Sequence, residues 1–368
     1  MAYSDKEILK IYEDMELELI EKMKKHLTKM KLDGVSKSEI DRWTASQMRQ
    51  LEKFRRESAL MINRYNKVIT KETEKSLLAQ YQKSREKEYS RLVRNYGKDK
   101  RLQTALAGIS VNEIKGLDDR RMAAFLSAVM HDQSKAMSSV FRKINDQYRE
   151  IIFDSAAKFN AGTVSLTKAV DEAQRDFLKN GITSITYKNG NEVNIRSYSE
   201  MALRTNGNRA AIQGAATLRS QVGINYVRVS HHGITCPLCA EWSGSVLIDD
   251  VYADGKPDGI HDMLSDAIAA GLLHPNCRCT LIGCDPEIDG EGPTYHYTAA
   301  DKEKYEDQQY QRKLERDLRA YKRMAAGSVS PSDEALYKGL VKDKSKELQD
   351  WVDAHDSYLI RQREREKI

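Results

Sequence analysis

Apolar residues recur at spacings of three and four from Ile8 through Ile11, Met15, Leu19, Met23, Leu27 and Met30. That pattern is one stripe of a long amphipathic helix. Ser4 and Glu7 are spaced as a capping box at its start, and Asp33-Gly34 stops it. Ser38 and Asp41 are placed to open a second helix through Trp43, Met48, Leu51, Leu60 and Ile62 toward Tyr96-Gly97. More than 50 residues pass there without Pro or Gly, which predicts an extended helical arm or hairpin. The Met and aromatic positions of these stripes read as a packing seam. Gly97, Gly108 and Gly116 mark residues 97–120 as a looser connection. Helical periodicity returns from Arg120 to Phe159, through Met122, Phe125, Val129, Met137, Phe141, Ile144 and Tyr148.

Near residue 160 the period changes. Val164–Leu178 reads as a shorter helix closed by Asn180-Gly181. Residues 185–195 read as a hairpin turning at Asn189-Gly190. Ser197 and Glu200 form a second capping-box spacing, and the helix it opens runs to Gly223. Alternating residues from Ile224 to Ser230 predict a strand, Ser245–Asp249 a second, and Thr280–Ile282 a third. Residues 262–270 read as a short helix ending at Gly271. After Pro286 the chain is turn-rich to Pro293, and charged helix resumes near Ala299. A break at 326–331 precedes a last helix over about 332–364, ending in the alternating-sign run Arg361–Lys367, which reads as a solvated tail.

Composition supports long exposed helices: 31% of the 368 residues are charged, 40% are hydrophobic, and only six are proline. No apolar run is long enough to span a membrane. The first residues lack the basic-then-apolar order of a secretory signal, so a reducing cytoplasm is expected during synthesis. The net charge of +5 is uneven: residues 1–102 hold 25 Lys and Arg against 17 Asp and Glu, whereas 103–300 hold 19 against 23. A basic front segment suits a polyanion or an acidic protein surface, and equally a solvated helix face. His26, set among lysines, reads as a surface residue, and His131 has no evident partner.

The cysteines sharpen this picture. Four of the five lie in Cys236-Pro237-Leu238-Cys239 and His274-Pro275-Asn276-Cys277-Arg278-Cys279, with Cys284 just beyond. In a reducing compartment such pairs are metal ligands more often than disulfides. Cys236 and Cys239 on a tight turn can share one ion, and a second pair completes a tetrahedron, as in structural zinc sites. Cys277 and Cys279 point to the same side if that segment is extended. His274 and Cys277 are the better pair if it turns. Cys236, Cys239 and Cys277 are therefore the expected Zn2+ ligands, with His274 or Cys279 as the fourth and His231 and His232 as outside candidates. So many donors imply a filled, structural site. The deaminase signature, a phosphate loop, a nucleophile elbow and His-Glu-x-x-His do not occur. Asp249, Asp250, Asp254 and Asp258 read as a solvated acidic loop, without EF-hand spacing.

These readings combine into an α+β protein, mostly helical: a helical arm over 1–160, a small mixed domain with the Cys/His cluster over 161–285, and charged C-terminal helices over 286–368.

Ser199–Thr205, Gly223–Ser230, the Cys-Pro-x-Cys run, Trp242-Ser243-Gly244 and His274–Cys279 occur in the order found in tailed-phage minor head proteins. The chain resembles the phage Mu F-like, or head morphogenesis, family, in the version called phage minor capsid protein 2. The motifs cover about residues 155–285. The resemblance implies a structural, non-enzymatic component inside the virion head. It also implies a few copies near the portal, partnered by portal protein, major capsid protein and packaged DNA, acting in head morphogenesis and genome packaging or delivery. Arg204, Thr205 and Trp242 match the family pattern, with packing as their simplest role. The competing reading is a zinc-dependent nucleic-acid-binding module or nuclease that uses the basic front segment.

Overall fold

The computed structural model describes residues 3–110, 114, 120–162, 164–186, 190–293 and 295–367. Gly116 and residues 187–189 of the expected hairpin turn lie outside them. In chain order the helices are α1 (Asp5–Leu27), α2 (Ile40–Tyr96), α3 (Lys100–Gly108), α4 (Arg120–Asn160), α5 (Leu166–Asn180) and α6 (Ile195–Gln221). The short α7 (Pro237–Ala240), α8 (Leu264–Ala269) and α9 (Pro286–Asp289) follow, then α10 (Ala299–Gly327) and α11 (Pro331–Ala354). The strands are β1 (Ser184–Thr186), β2 (Glu192–Asn194), β3 (Tyr226–Val229), β4 (Val246–Ile248) and β5 (Leu281–Cys284). The protein is thus α+β and mostly helical.

Packing gathers the chain into two compact units, each built from three stretches. One holds residues 1–5, 72–130 and 200–307; the other holds 6–71, 131–199 and 308–368. This division differs from the three consecutive stretches expected from sequence, because α2, α4, α6 and α10 each contribute residues to both units.

In the unit containing α1, the expected stripe is the core: Ile8, Met15, Leu19, Met23 and Leu27 are buried. Two acids on the same helix are buried with partners. Glu13 Oε1 accepts from Arg196 Nε at 2.9 Å, and Glu16 accepts from Thr183 and Asn194 at 3.0 and 2.8 Å. The start of α2 corrects the expected cap. Ser36, not Ser38, donates its backbone N–H to Glu39 at 2.9 Å across a short 3-10 turn, and one unbroken helix of 57 residues follows. His26 is also corrected: it is buried, its Nε2 lies 3.3 Å from Glu57 Oε2, and Phe54 packs edge-on against its ring. Lys24 and Lys25 share the sequence but not that helix face, whereas Lys22, one turn earlier, reaches the same Glu57 carboxylate at 3.1 Å. The helix α5 starts at the cap Ser165, whose hydroxyl accepts from Lys168 N. It stops at Gly181, whose φ of 95° favours glycine. The strands β1 and β2 pair as the expected hairpin, with Ile185 opposite Val193.

The C-terminal run is the largest departure in this unit. The last helix ends at Ala354, and residues beyond it dock rather than dangle. Arg361 holds Glu366 through two bonds of 2.6 and 2.7 Å, and also reaches Gln349 at 2.8 Å and Ser345 Oγ at 2.8 Å. A bidentate guanidinium–carboxylate pair is geometrically selective and out of reach of a pattern reading. Arg361→Ala is expected to lower stability by about 2 kcal/mol, since it strands the buried Glu366 carboxylate. Urea unfolding, with faster amide exchange over 345–366, checks this; an unchanged midpoint would refute it.

In the other unit, the expected loose connection after Gly97 contains α3, capped by Asp99, whose carboxylate accepts from the backbone of Arg101 and Leu102. Leu102 and Leu106 of α3 pack with Leu92, Tyr96, Val222 and Ile224. The helix α6 begins at Ile195, in the unit that contains α1, and enters this one at Glu200; Ser197 and Glu200 thus lie inside it, and Asn194 Oδ1 accepts from Arg196 N at 2.9 Å instead. The three expected strands form an antiparallel sheet in the order β4-β3-β5. Val227 pairs with Leu247 on one side and Gly283 on the other.

Candidate metal centre

The central strand β3 delivers the chain to Ser230, and the cysteine turns follow. Cys236 precedes α7 with Pro237 in its first position, and the N–H of Cys239 donates to Cys236 O at 3.1 Å. That tight turn puts both sulfurs on one side. The second turn runs from Leu273 to Cys279. Leu273 and Asn276 have φ of 56° and 70°, the left-handed region that costs a branched or bulky residue most. Cys277 N–H closes the turn on His274 O at 2.9 Å.

The helix α6 braces this strained turn. Arg204 donates to Asn276 Oδ1 at 2.7 Å and is itself held by Glu200 at 2.7 Å. Thr205 Oγ1 accepts from Asn276 N at 3.1 Å, and Asn208 Nδ2 donates to Cys279 O at 2.8 Å. Arg204 and Thr205, read from sequence as packing residues, are polar struts. Asn208 was missed. Its signal was its place one helical turn beyond Arg204, on the same face.

The turns bring all five expected ligands together. Cys236, Cys239 and His274 form one group, and Cys239, Cys277 and Cys279 another, with donor atoms of each group within 4.8 Å of one another. Cys239 belongs to both. Cys236 Sγ lies 2.9 Å from His274 Nε2, and Cys239 Sγ lies 3.4 Å from Cys277 Sγ. Tetrahedral zinc separates its sulfur ligands by about 3.8 Å, so the donors stand close to ligand spacing. His274 Nδ1 is 2.8 Å from Pro275 O. A proton on Nδ1 given to that carbonyl leaves Nε2 as a lone-pair donor aimed at the cluster, the usual outer support of a metal-bound histidine. The cluster can therefore hold a metal ion. His232 Nε2 lies 3.6 Å from Cys279 Sγ at its edge. Cys284 stays outside both groups, and burial pushes its thiol up to about 11.

Without an ion the cluster divides its protons. Hydrogen bonds from Cys239 and then from His274 pull Cys236 down, and bonds from Cys239 and Cys279 pull Cys277 down. Cys239 is pushed up by the same bonds, as their donor. His274 is raised to about 9, first by Cys236. A metal ion would compete with protons for these sulfurs and for Nε2 of His274.

The surroundings are apolar. Cys239, Cys277 and Cys279 are buried among Ile212, Val227, Val229, Leu247, Leu264 and Leu281, with Trp242 partly buried against them. Of the four acids expected in a solvated loop, Asp254 is exposed, and the other three are engaged. Asp249 is buried against Arg219 at 2.9 Å, Asp250 caps Ser265 N at 2.9 Å, and Asp258 holds His261 at 2.6 Å. Their partners lie 3 to 30 residues away, which adjacent-residue reading does not reveal.

Fold and site together define a mostly helical protein that carries a small sheet knit by a metal-competent cysteine and histidine cluster. The family model described as phage minor capsid protein 2 matches residues 3–355. The chain belongs to that family: it is a minor capsid component of a bacteriophage, with its place in the virion. No curated protein and no solved structure matches it. No helix among the described residues is long and apolar enough to cross a membrane.

Proposed function

We propose that the chain is a portal-associated structural protein of the phage head, acting in head morphogenesis and in genome packaging or delivery. Portal protein, major capsid protein and packaged DNA are its partners. Its Cys/His cluster holds one structural Zn2+ through Cys236, Cys239 and Cys277, with His274 as the fourth ligand ahead of Cys279. The observation that carries the structural reading is the donor surplus of the cluster, buried in the small sheet's core, within a chain matched nearly end to end by a capsid family. A catalytic zinc keeps a coordination place for water; five converging donors suit a filled sphere. The orientation of His274 by Pro275 favours it over Cys279.

Two measurements test this. Protein purified under reducing conditions should carry about one zinc per chain, His274→Ala should lose most of it, and Cys279→Ser should keep it; less than about a tenth of an equivalent in the parent refutes the metal. Affinity capture of the tagged protein from infected cells should retain portal protein in near-constant ratio; capture of capsid shells without portal refutes the portal placement.

A further inference from the structure

The outer face of α2 within residues 40–71 is a single-sign stripe. Arg49, Lys53, Arg56, Arg64, Lys67 and Lys71 follow one another at steps of three and four, with Leu60 completing the series, and all are exposed. At 100° per residue they fall in a sector about 80° wide, and no acid enters that sector between Arg42 and Lys71. Residues 40–71 contain eight Lys and Arg against three Asp and Glu, a net of +5 that equals that of the whole chain. The opposite face is occupied: Trp43, Leu51, Phe54, Met61, Ile62 and Ile69 are buried.

A solvated helix face ordinarily interleaves both signs in pairs three or four apart. Here Arg64 meets Glu18 at 2.7 Å, and Lys53 shares Glu57 at 3.8 Å with Lys22 and His26. Arg49, Arg56, Lys67 and Lys71 make no ion pair among the described residues. Uncompensated like charges along one line repel each other, and a polyanion relieves that repulsion. From Arg49 to Lys71 the helix rises about 33 Å, close to one turn of duplex DNA at about 34 Å. Leu60, 73% exposed at the middle of the line, gives an apolar contact for deoxyribose.

We propose that this stripe is a docking surface for the phosphate backbone of double-stranded DNA, bound without regard to sequence. Lysine and arginine on a smooth helix face meet phosphates and release their counterions, and nothing in that contact reads base edges. The proposal gives a place to the DNA contact named in the proposed function. It is independent of the metal and of the portal, so DNA binding can fail while zinc content and portal capture hold.

The test is anisotropy of a labelled duplex with full-length protein across a salt series. The variant R49Q/R56Q/K67Q/K71Q should reduce the slope of log affinity against log salt by about 3 to 4, with affinity at low salt falling ten-fold or more. The control K83Q/K87Q/R94Q/K98Q removes the same charge from exposed positions off the stripe and should change affinity by less than about three-fold. R49K/R56K should bind as the parent does. Unchanged circular dichroism secures the fold of each variant. Equal losses in the two glutamine variants would overturn the proposal in favour of diffuse charge. A parent protein that does not bind duplex at low salt would overturn it in favour of an acidic protein surface as the stripe's partner.

Discussion

With zinc in the proposed site, replacing Cys239 with serine should cost the protein that metal and, with it, the order of the small sheet. Cys239 is the one donor shared by both groups of the cluster, and it is fully buried. Loss of an outer support of a ligand commonly weakens metal binding about 10- to 100-fold; loss of a central ligand should exceed the upper end of that range. The structural consequence follows from size. The strands β3, β4 and β5 have only three or four residues each, and so small a sheet is marginal on its own. Binding free energy at such a site is folding free energy. Cys239→Ser should therefore release zinc and open residues 226–284 to protease, while α1 and the α10–α11 pair stay protected. Chelator treatment of the parent should give the same cleavage pattern. Acidification should release metal before it unfolds the helices, because protons compete for the thiolates and for His274. Cys284→Ser is the control: it stays outside both groups and should keep about one zinc. A Cys239→Ser protein with a full equivalent of zinc would sink the account.

The sequence made the long helices and the sheet legible because both rest on local periodicity. The α1 stripe from Ile8 to Leu27 and the alternation of Ile224–Ser230 each carry their own signal. What escaped depends on residues distant in sequence. Arg361 and Glu366 look like part of a solvated alternating tail until Ser345 and Gln349 are beside them. His26 looks exposed until Phe54 and Glu57 cover it from α2. The caps of two helices lie two and three residues before the expected ones, Ser36 for Ser38 and Asn194 for Ser197, because several short polar residues near each start satisfy the same rule. The division into two units was hidden for a different reason: a helix that serves both carries no composition shift where it passes from one to the other.

The cluster was legible for the opposite reason. Cysteine is rare in this chain, and two tight knots of it leave few alternatives. The choice of fourth ligand was open from spacing alone, since both an extended and a turned segment were consistent with it. The segment turns, Cys277 N–H to His274 O, and brings both His274 and Cys279 to the cluster. The braces on that turn were not legible as such, because Arg204, Thr205 and Asn208 lie some seventy residues from the atoms they hold.

The second large effect belongs to a buried charge. Arg219 Nη2 lies 2.9 Å from Asp249 Oδ2, and both side chains are fully buried. Asp249 also accepts from Tyr252 N at 2.8 Å through its other oxygen, so its carboxylate is satisfied on both sides. Glu88 stands 3.8 Å from Arg219 but is already bound to Arg91 at 2.7 and 2.9 Å. Asp249→Ala would leave a guanidinium in the interior with only that divided partner. Breaking such a pair from one side costs about 3–5 kcal/mol. An exposed pair such as Lys338–Glu334, 2.6 Å apart, should cost less than about 1 kcal/mol when broken. The double variant R219M/D249L removes both charges at similar volume and should recover most of the loss, because the attraction of a buried pair largely offsets its own desolvation. Gly283 limits other repairs: a Cβ there would lie 2.1 Å from Arg219 Cδ, so Gly283→Ala should destabilise the parent and be tolerated better beside R219M. Urea unfolding, followed by amide exchange at residues 226–229, reads each of these variants. If Asp249→Ala loses no more than the Lys338–Glu334 break does, Arg219 has another partner in solution, and the pair does not hold the sheet to α6.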